Sequence, residues 1–221
     1  MDKQTFIARV KQIMNETSTN DFGSVFLGSD TTRIEDQITS CYLDAWKYCA
    51  DRLPRWWFNN ATFNDATIVA DLVHGTGLVV IPDDYYLLTS FKMKGWQKSV
   101  TEFAPATSFN YSVQNNIFTR GNVIRPFVIL DTAMVGTEQK KIARYYSLPF
   151  PIDAHEIEEA MYLPTPTDID TLADTDTLDF KDKAQEAVCY DCAKEVFVRL
   201  GNNDNAKAIE EAMKEIIIEL K

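Results

Sequence analysis

TRIEDQITSCYLDAWKYCADRLPRWWF, residues 32–58, carries its apolar side chains at Ile34, Ile38, Cys41, Tyr42, Ala45, Trp46, Cys49 and Leu53. Steps of three, four and seven place them in one stripe of an α-helix. Thr32 stands three residues before Glu35 and predicts a capping box; Arg33, Glu35 and Asp36 fall in the first turn. Pro54 ends the pattern because it lacks an amide and clashes with the preceding turn. About 21 residues at ~1.5 Å each make a rod of roughly 30 Å, as long as a small domain is wide. Arg55-Trp56-Trp57-Phe58 follows, a row of aromatics suited to wedging the helix against a sheet. This helix is expected to be the beam on which the rest is hung.

The chain of 221 residues can bury a sizeable core, and 45% hydrophobic with 25% charged residues is ordinary for a globular protein. MDKQTFIARVKQI has charges spaced through it and does not read as a signal peptide. The longest apolar runs, near Gly77–Pro82 and Ile216–Ile218, are far below a membrane span. Folding in a cytoplasm is expected, with Cys41, Cys49, Cys189 and Cys192 as thiols. Charge is unevenly placed. Residues 1–150 hold 15 acidic and 15 basic side chains, whereas 151–221 hold 18 and 7, so the net −11 lies in the last third. A duplex-binding domain has the opposite bias.

Residues 3–15 predict a first helix with Phe6, Ile7, Val10, Ile13 and Met14 on one side. Residues 15–31 form a polar linker made adhesive by Phe22, Val25, Phe26 and Leu27. From Ala61 to Tyr146 the period changes from helical to alternating. Strands are expected at Ile68–Val73, Leu78–Ile81, Tyr85–Met93, Ile117–Thr119, Val123–Leu130 and Lys141–Tyr146. Turns are expected at His74–Gly77, Gly95, Gly121-Asn122 and Gly136, with a helical turn at Ala104–Tyr111. Leu148-Pro149-Phe150-Pro151 is a stiff link, and Glu156–Tyr162 reads as one helical turn. An acidic loop, Asp168–Asp179, precedes two helices: one striped by Ala184, Ala187, Val188, Cys192, Val196 and Leu200, the other by Ile209, Ala212, Met213, Ile216 and Leu220. Gly201 suits the αL position between them, and Asp204 is the expected cap of the second.

The expected fold class is therefore α+β: a helical bundle of residues 1–58 and 180–221, made from the long helix and the C-terminal pair. A small β-sandwich or curled sheet, residues 61–147, is inserted and projects from it, and 148–179 is an extended linker with the acidic loop.

Catalytic signals are weak. Cys189-Tyr-Asp-Cys192 has redox or half-zinc spacing but lies inside a striped helix, where small core residues are the plainer account. His155-Glu-Ile-Glu-Glu159 has a glutamate where a zinc protease needs its second imidazole, and His74 sits in a glycine-flanked turn. Asp168, Asp170, Asp174, Asp176 and Asp179 fail calcium-loop spacing in both registers. Trp56, Trp57, Tyr85, Tyr86 and Trp96 lack the interleaved bases of a nucleic-acid stacking platform. No catalytic, metal or cofactor site is expected.

The order of elements resembles the head-to-tail adaptor (connector) proteins of tailed bacteriophages, in particular those of short-tailed, crAss-like phages. The likeness covers residues 32–221. It rests on the helix running through Ala45-Trp46 to Trp56-Trp57-Phe58, and on strands leading to Val80-Ile81-Pro82-Asp83-Asp84-Tyr85-Tyr86. Lys94-Gly95-Trp96, Ala143-Arg144-Tyr145-Tyr146-Ser147-Leu148-Pro149, Leu163-Pro164 and the closing amphipathic helices complete it. The resemblance implies a non-enzymatic virion protein, made in the host cytoplasm, that forms a dodecameric ring under the portal protein. Such a ring contacts other neck or tail proteins, passes DNA non-specifically, and does not engage a membrane. Candidate contact residues are Phe22, Phe26, Trp56, Trp57, Tyr85, Trp96 and Ile217. Glu210, Glu211 and Glu215 are candidates for an acidic lumen that repels phosphates. Competing readings are another neck or tail-completion ring, a monomeric binding module, and a cytosolic enzyme with a carboxylate site at 168–179.

Overall fold

The computed structural model describes residues 1–17, 31–114, 116, 118–149, 154–178 and 180–219. Phe22, Phe26 and the linker around them lie outside the described residues, as does the Thr32 side chain proposed for the capping box. The chain forms two compact units: Met1–Asn59 with Pro166–Lys221, and Asn60–Thr165.

The first unit is helical. Helix α1 (Lys3–Thr17) starts where the Thr5 amide donates to Asp2 Oδ1 at 2.7 Å, a bond that holds the Asp2 carboxyl below its ordinary pKa. Helix α2 (Thr31–Arg52) buries seven of the eight stripe residues named above, with Leu53 buried just past its end, and Pro54 stops it, after which Arg55–Trp57 form a 3₁₀ turn. Trp46 is fully buried with its ring edge-on to Phe58 at 5.4 Å, and Phe6, Tyr42 and Phe180 form a second aromatic cluster. The helix on which the unit is built is a different one. Three other helices, α1, α2 and the C-terminal helix, all pack on Asp182–Arg199, numbered α4 because a short helix precedes it. Its Ala184, Ala187, Val188, Cys189, Cys192, Ala193, Val196 and Phe197 are all buried, so it is covered on most sides. The C-terminal helix, α5 (Asn203–Glu219), is capped by Asn202, not by Asp204: the Asn205 amide donates to Asn202 Oδ1 at 3.3 Å. Gly201 turns the chain between the two at φ 75°.

The second unit holds two sheets. Strands β1 (Ala61–Thr62), β8 (Ile157–Pro164) and β4 (Tyr85–Met93) form one, in the order β1-β8-β4. The other contains β2 (Ile68–Asp71), β3 (Thr76–Val80), β7 (Glu138–Tyr145), β6 (Val128–Val135) and β5 (Ala104–Pro105), in the order β2-β3-β7-β6-β5. Every pairing is antiparallel except β5 with β6. Val79, Leu88, Phe91, Met93, Trp96, Phe103, Ala143, Tyr145 and Tyr162 belong to one core that draws on both sheets.

This architecture corrects the expected fold class. The protein is not a helical bundle carrying a small β insert: the two sheets, of three and five strands, make a unit spanning Asn60–Thr165. The miss has local causes. Of Glu156–Tyr162, read as a helical turn, all but Glu156 belong to β8, the middle strand of its sheet, and are not linker. Two of the segment's three acidic residues are matched from the neighbouring strand and the turn after it, Lys92 Nζ to Glu158 and Lys94 Nζ to Glu156, each at 2.6 Å. Ala104–Tyr111, also read as helical, splits into β5 and the short helix α3 (Phe109–Gln114). The strand expected to run to Val73 ends at Asp71, whose Oδ1 accepts from the Val73 and His74 amides at 3.1 Å each and turns the chain. The strand expected from Val123 begins only at Val128, because Asn122 Oδ1 accepts from Ile124 and Arg125. Phe118 and Thr119, in the strand expected at 117–119, form a turn instead, with Ile117 outside the described residues.

Candidate functional site

Most of the reactive side chains singled out above have a structural occupation. All four thiols are buried, and burial pushes Cys41 up to about 11, Cys189 up to about 12, and Cys49 and Cys192 well above the ordinary thiol value. Cys192 Sγ donates to the Ile38 carbonyl at 3.4 Å. A thiolate, which redox exchange and metal ligation both need, is therefore strongly disfavoured at Cys189 and Cys192.

His155 is buried and its Nδ1 lies 2.5 Å from the hydroxyl of Tyr145, which is itself fully buried. Burial lowers the His155 pKa and raises that of Tyr145, so the pair is a neutral hydrogen bond inside the β core. His74 is exposed and its Nδ1 meets Asp71 Oδ2 at 2.8 Å, an interaction that lowers the Asp71 pKa. The two imidazoles thus serve separate local structures.

The acidic loop explains itself in the same way. Asp168 accepts from the Asp170 amide at 3.1 Å and starts a 3₁₀ turn, Ile169–Thr171. Asp176 accepts from the Ala173 amide, and Asp174 from Gln4 Nε2, both at 2.9 Å. Among the described residues no group of three or more histidine, cysteine, aspartate or glutamate side chains could hold a metal ion. Among them, too, no helix is long and apolar enough to cross a membrane. In α4, Asp191 is buried against Lys194, and burial lifts the Asp191 carboxyl.

The expected contact residues divide. Trp56 is 67% exposed on its 3₁₀ turn, with Trp57 and Ile217 half-buried. Trp96 is a core residue instead, 3% exposed and edge-on to Phe91 at 5.8 Å, so it cannot present a surface. Tyr85 is half-buried and stacks between Phe103 and Tyr162 at 5.9 and 6.0 Å. Glu211 and Glu215 are exposed on α5, while Glu210 pairs with Lys214 at 2.9 Å.

Sequence reasoning passed over several exposed apolar side chains of the β unit. Phe118 is 93% exposed, Phe109 83%, Val73 72% and Met134 65%, all in the β unit. The available signal was their position: each lies beside a turn or at a strand end, where a large apolar residue has no core to enter. No protein-family model matches the chain, and no curated protein matches it.

Proposed function

We infer that the chain is a structural subunit of a tailed-phage virion, a head-to-tail adaptor that rings the underside of the portal with copies of itself and passes DNA without reacting with it. Alongside the likeness in element order, one observation carries this reading. The thiols, His155 and the carboxylates of Asp168, Asp174 and Asp176 are engaged within the fold, while Phe109, Phe118, Val73, Met134 and Trp56 stand in solvent. A soluble enzyme usually shows the reverse, converging ionisable groups in a cleft and few large apolar side chains outside. Subunits of a closed ring need two different adhesive surfaces each. The carboxylate-enzyme alternative has less support, because Asp168, Asp174 and Asp176 already accept hydrogen bonds from their own unit.

In this reading the acidic C-terminal third, with Glu210, Glu211 and Glu215, faces the DNA path and keeps it from gripping phosphate. The test is to label the chain in purified virions and average negative-stain images of the portal vertex. A ring of label between capsid and tail is the expected result. Absence from the virion, or label elsewhere on the capsid, would overturn the reading.

A further inference from the structure

The five-stranded sheet ends in two open edges of unlike sequence, and the hydrogen bonds fix what each presents. The Val80 amide donates to the Thr67 carbonyl at 2.9 Å, and the Ile81 amide to the Lys141 carbonyl at 3.0 Å. Because backbone groups alternate along an antiparallel ladder, Val69 and Asp71 bond to β3, leaving the N–H and C=O of Ile68 and Ala70 directed outward. Lys141, facing β3, is opposite Thr132, so Asp131, Ala133 and Val135 bond to β7. Leu130, Thr132 and Met134 then point outward, and β5 reaches only as far as Ile129 and Leu130. Among the described residues no strand pairs with the outer edges of Ile68–Asp71 or Asp131–Val135; the Thr132 amide is held by Asp131 Oδ1 at 2.8 Å.

Neither edge carries the lysines, proline or bulge that commonly guard a free strand. Ile68, Ala70, Thr132 and Met134 also share one face, the face on which Val79, Ala143 and Leu130 meet the core. Across β2-β3-β7-β6 every neighbour is antiparallel, so β2 and β6 run in opposite directions. Repeating the sheet by rotation about an axis along its strands therefore makes the junction antiparallel, as every other pairing of these four strands is.

We propose that β6 of one copy adds to β2 of the next, so that the sheet continues from subunit to subunit around the ring. This rests on the ring reading above and gives it a lateral contact. The register that uses both outward pairs sets Met134 opposite Ile68 and Thr132 opposite Ala70. It gives four backbone hydrogen bonds, one of them by exchange of the Thr132 amide from Asp131 Oδ1 to the Ala70 carbonyl of the next copy, and lays the exposed Met134 side chain beside Ile68. Asp71 and Asp131 come opposite one another, each already held in its own chain, by His74 Nδ1 at 2.8 Å and by Arg144 at 3.4 Å.

The test is a double variant, Ala70→Cys with Thr132→Cys, oxidised with diamide in solution over rising protein concentration; the native thiols are buried. Directly opposed hydrogen-bonded residues stand about 5.5 Å apart at Cα, within disulfide reach. A covalent ladder extending past the dimer is expected from the double variant and not from either single variant. Dimers as the main product of Thr132→Cys alone would mean that like edges pair, and would overturn the proposal. So would a missing ladder, whether the wild-type protein self-associates by light scattering or stays monomeric; the ring itself is judged separately at the portal vertex. Thr132→Pro removes an amide whose partner in its own chain is Asp131 Oδ1, at 2.8 Å, and not another strand. It should weaken self-association about tenfold, with the unfolding midpoint and the Thr132→Ser control unchanged. Undiminished association of Thr132→Pro would refute the edge contact.

Discussion

Gly77→Ala is the substitution with the sharpest structural forecast. Gly77 lies within β3, opposite Ala70 on one side and Tyr145 on the other. A Cβ there would stand 2.3 Å from the Tyr145 hydroxyl oxygen, 2.7 Å from Tyr145 Cζ and 2.8 Å from the Val69 carbonyl oxygen. Two of these atoms belong to a fully buried ring and one to backbone, so none can swing aside cheaply. The ring must retreat, and with it the hydrogen bond to His155. Overpacking of this kind costs about 1–3 kcal/mol, and the lost buried hydrogen bond about 1 kcal/mol more. With a urea slope of about 1–2 kcal/mol/M for a unit of this size, the midpoint should fall by ~1–4 M. Trp96 is the one tryptophan of the β unit and sits edge-on to Tyr145 at 6.4 Å, so its fluorescence reports the transition locally. Tyr145→Phe alone should cost about 1 kcal/mol, and the double variant less than the two single costs together, because the hydroxyl that collides is gone. An unchanged midpoint for Gly77→Ala, or strict additivity, would refute the reasoning.

Burial lowers the His155 pKa, partly opposed by the charge of Asp71. The unfolded chain therefore takes up the proton first, and stability present above the ordinary histidine value should fall as pH drops through it toward the folded pKa. Urea midpoints followed by Trp96 fluorescence at pH 7.5 and 5.5 check this, and His155→Gln should flatten the difference. The four buried thiols should not react with a neutral disulfide reagent in the native protein at pH 8. All should react on denaturation; rapid native labelling at Cys189 or Cys192 would contradict their placement.

The long amphipathic helices were legible because each depends on a single repeated spacing. In α2 the stripe from Ile34 to Leu53 names its own buried face, and Pro54 its end. Tyr85–Met93 was legible for a similar reason, a run of aromatic and branched residues bounded by Pro82 and Gly95. What was lost depends on partners distant in sequence. Nothing local in HEIEEAMYL distinguishes a helical turn from a strand; Lys92, Lys94, Ala61 and Thr62 decide it from across the sheet. Side chains that bend the backbone were equally hidden, since Asp71 and Asn122 end or delay a strand through bonds to amides two or three residues on. Among the contact candidates, Trp56 is exposed, whereas Trp96 is captured by Phe91 and Tyr145. The two sheet edges are visible only once strand order is known.

The helical unit is assembled from both ends of the chain, while the β unit is continuous from Asn60 to Thr165. On a ribosome adding roughly 5–20 residues per second, the first two helices emerge with their apolar stripes uncovered. They wait on the order of ten seconds or longer for the segment that completes their core. The β unit can finish in the interval. A messenger cut short after Thr165 should therefore yield a folded middle and an adhesive leading segment, a natural client for chaperones that hold exposed helices.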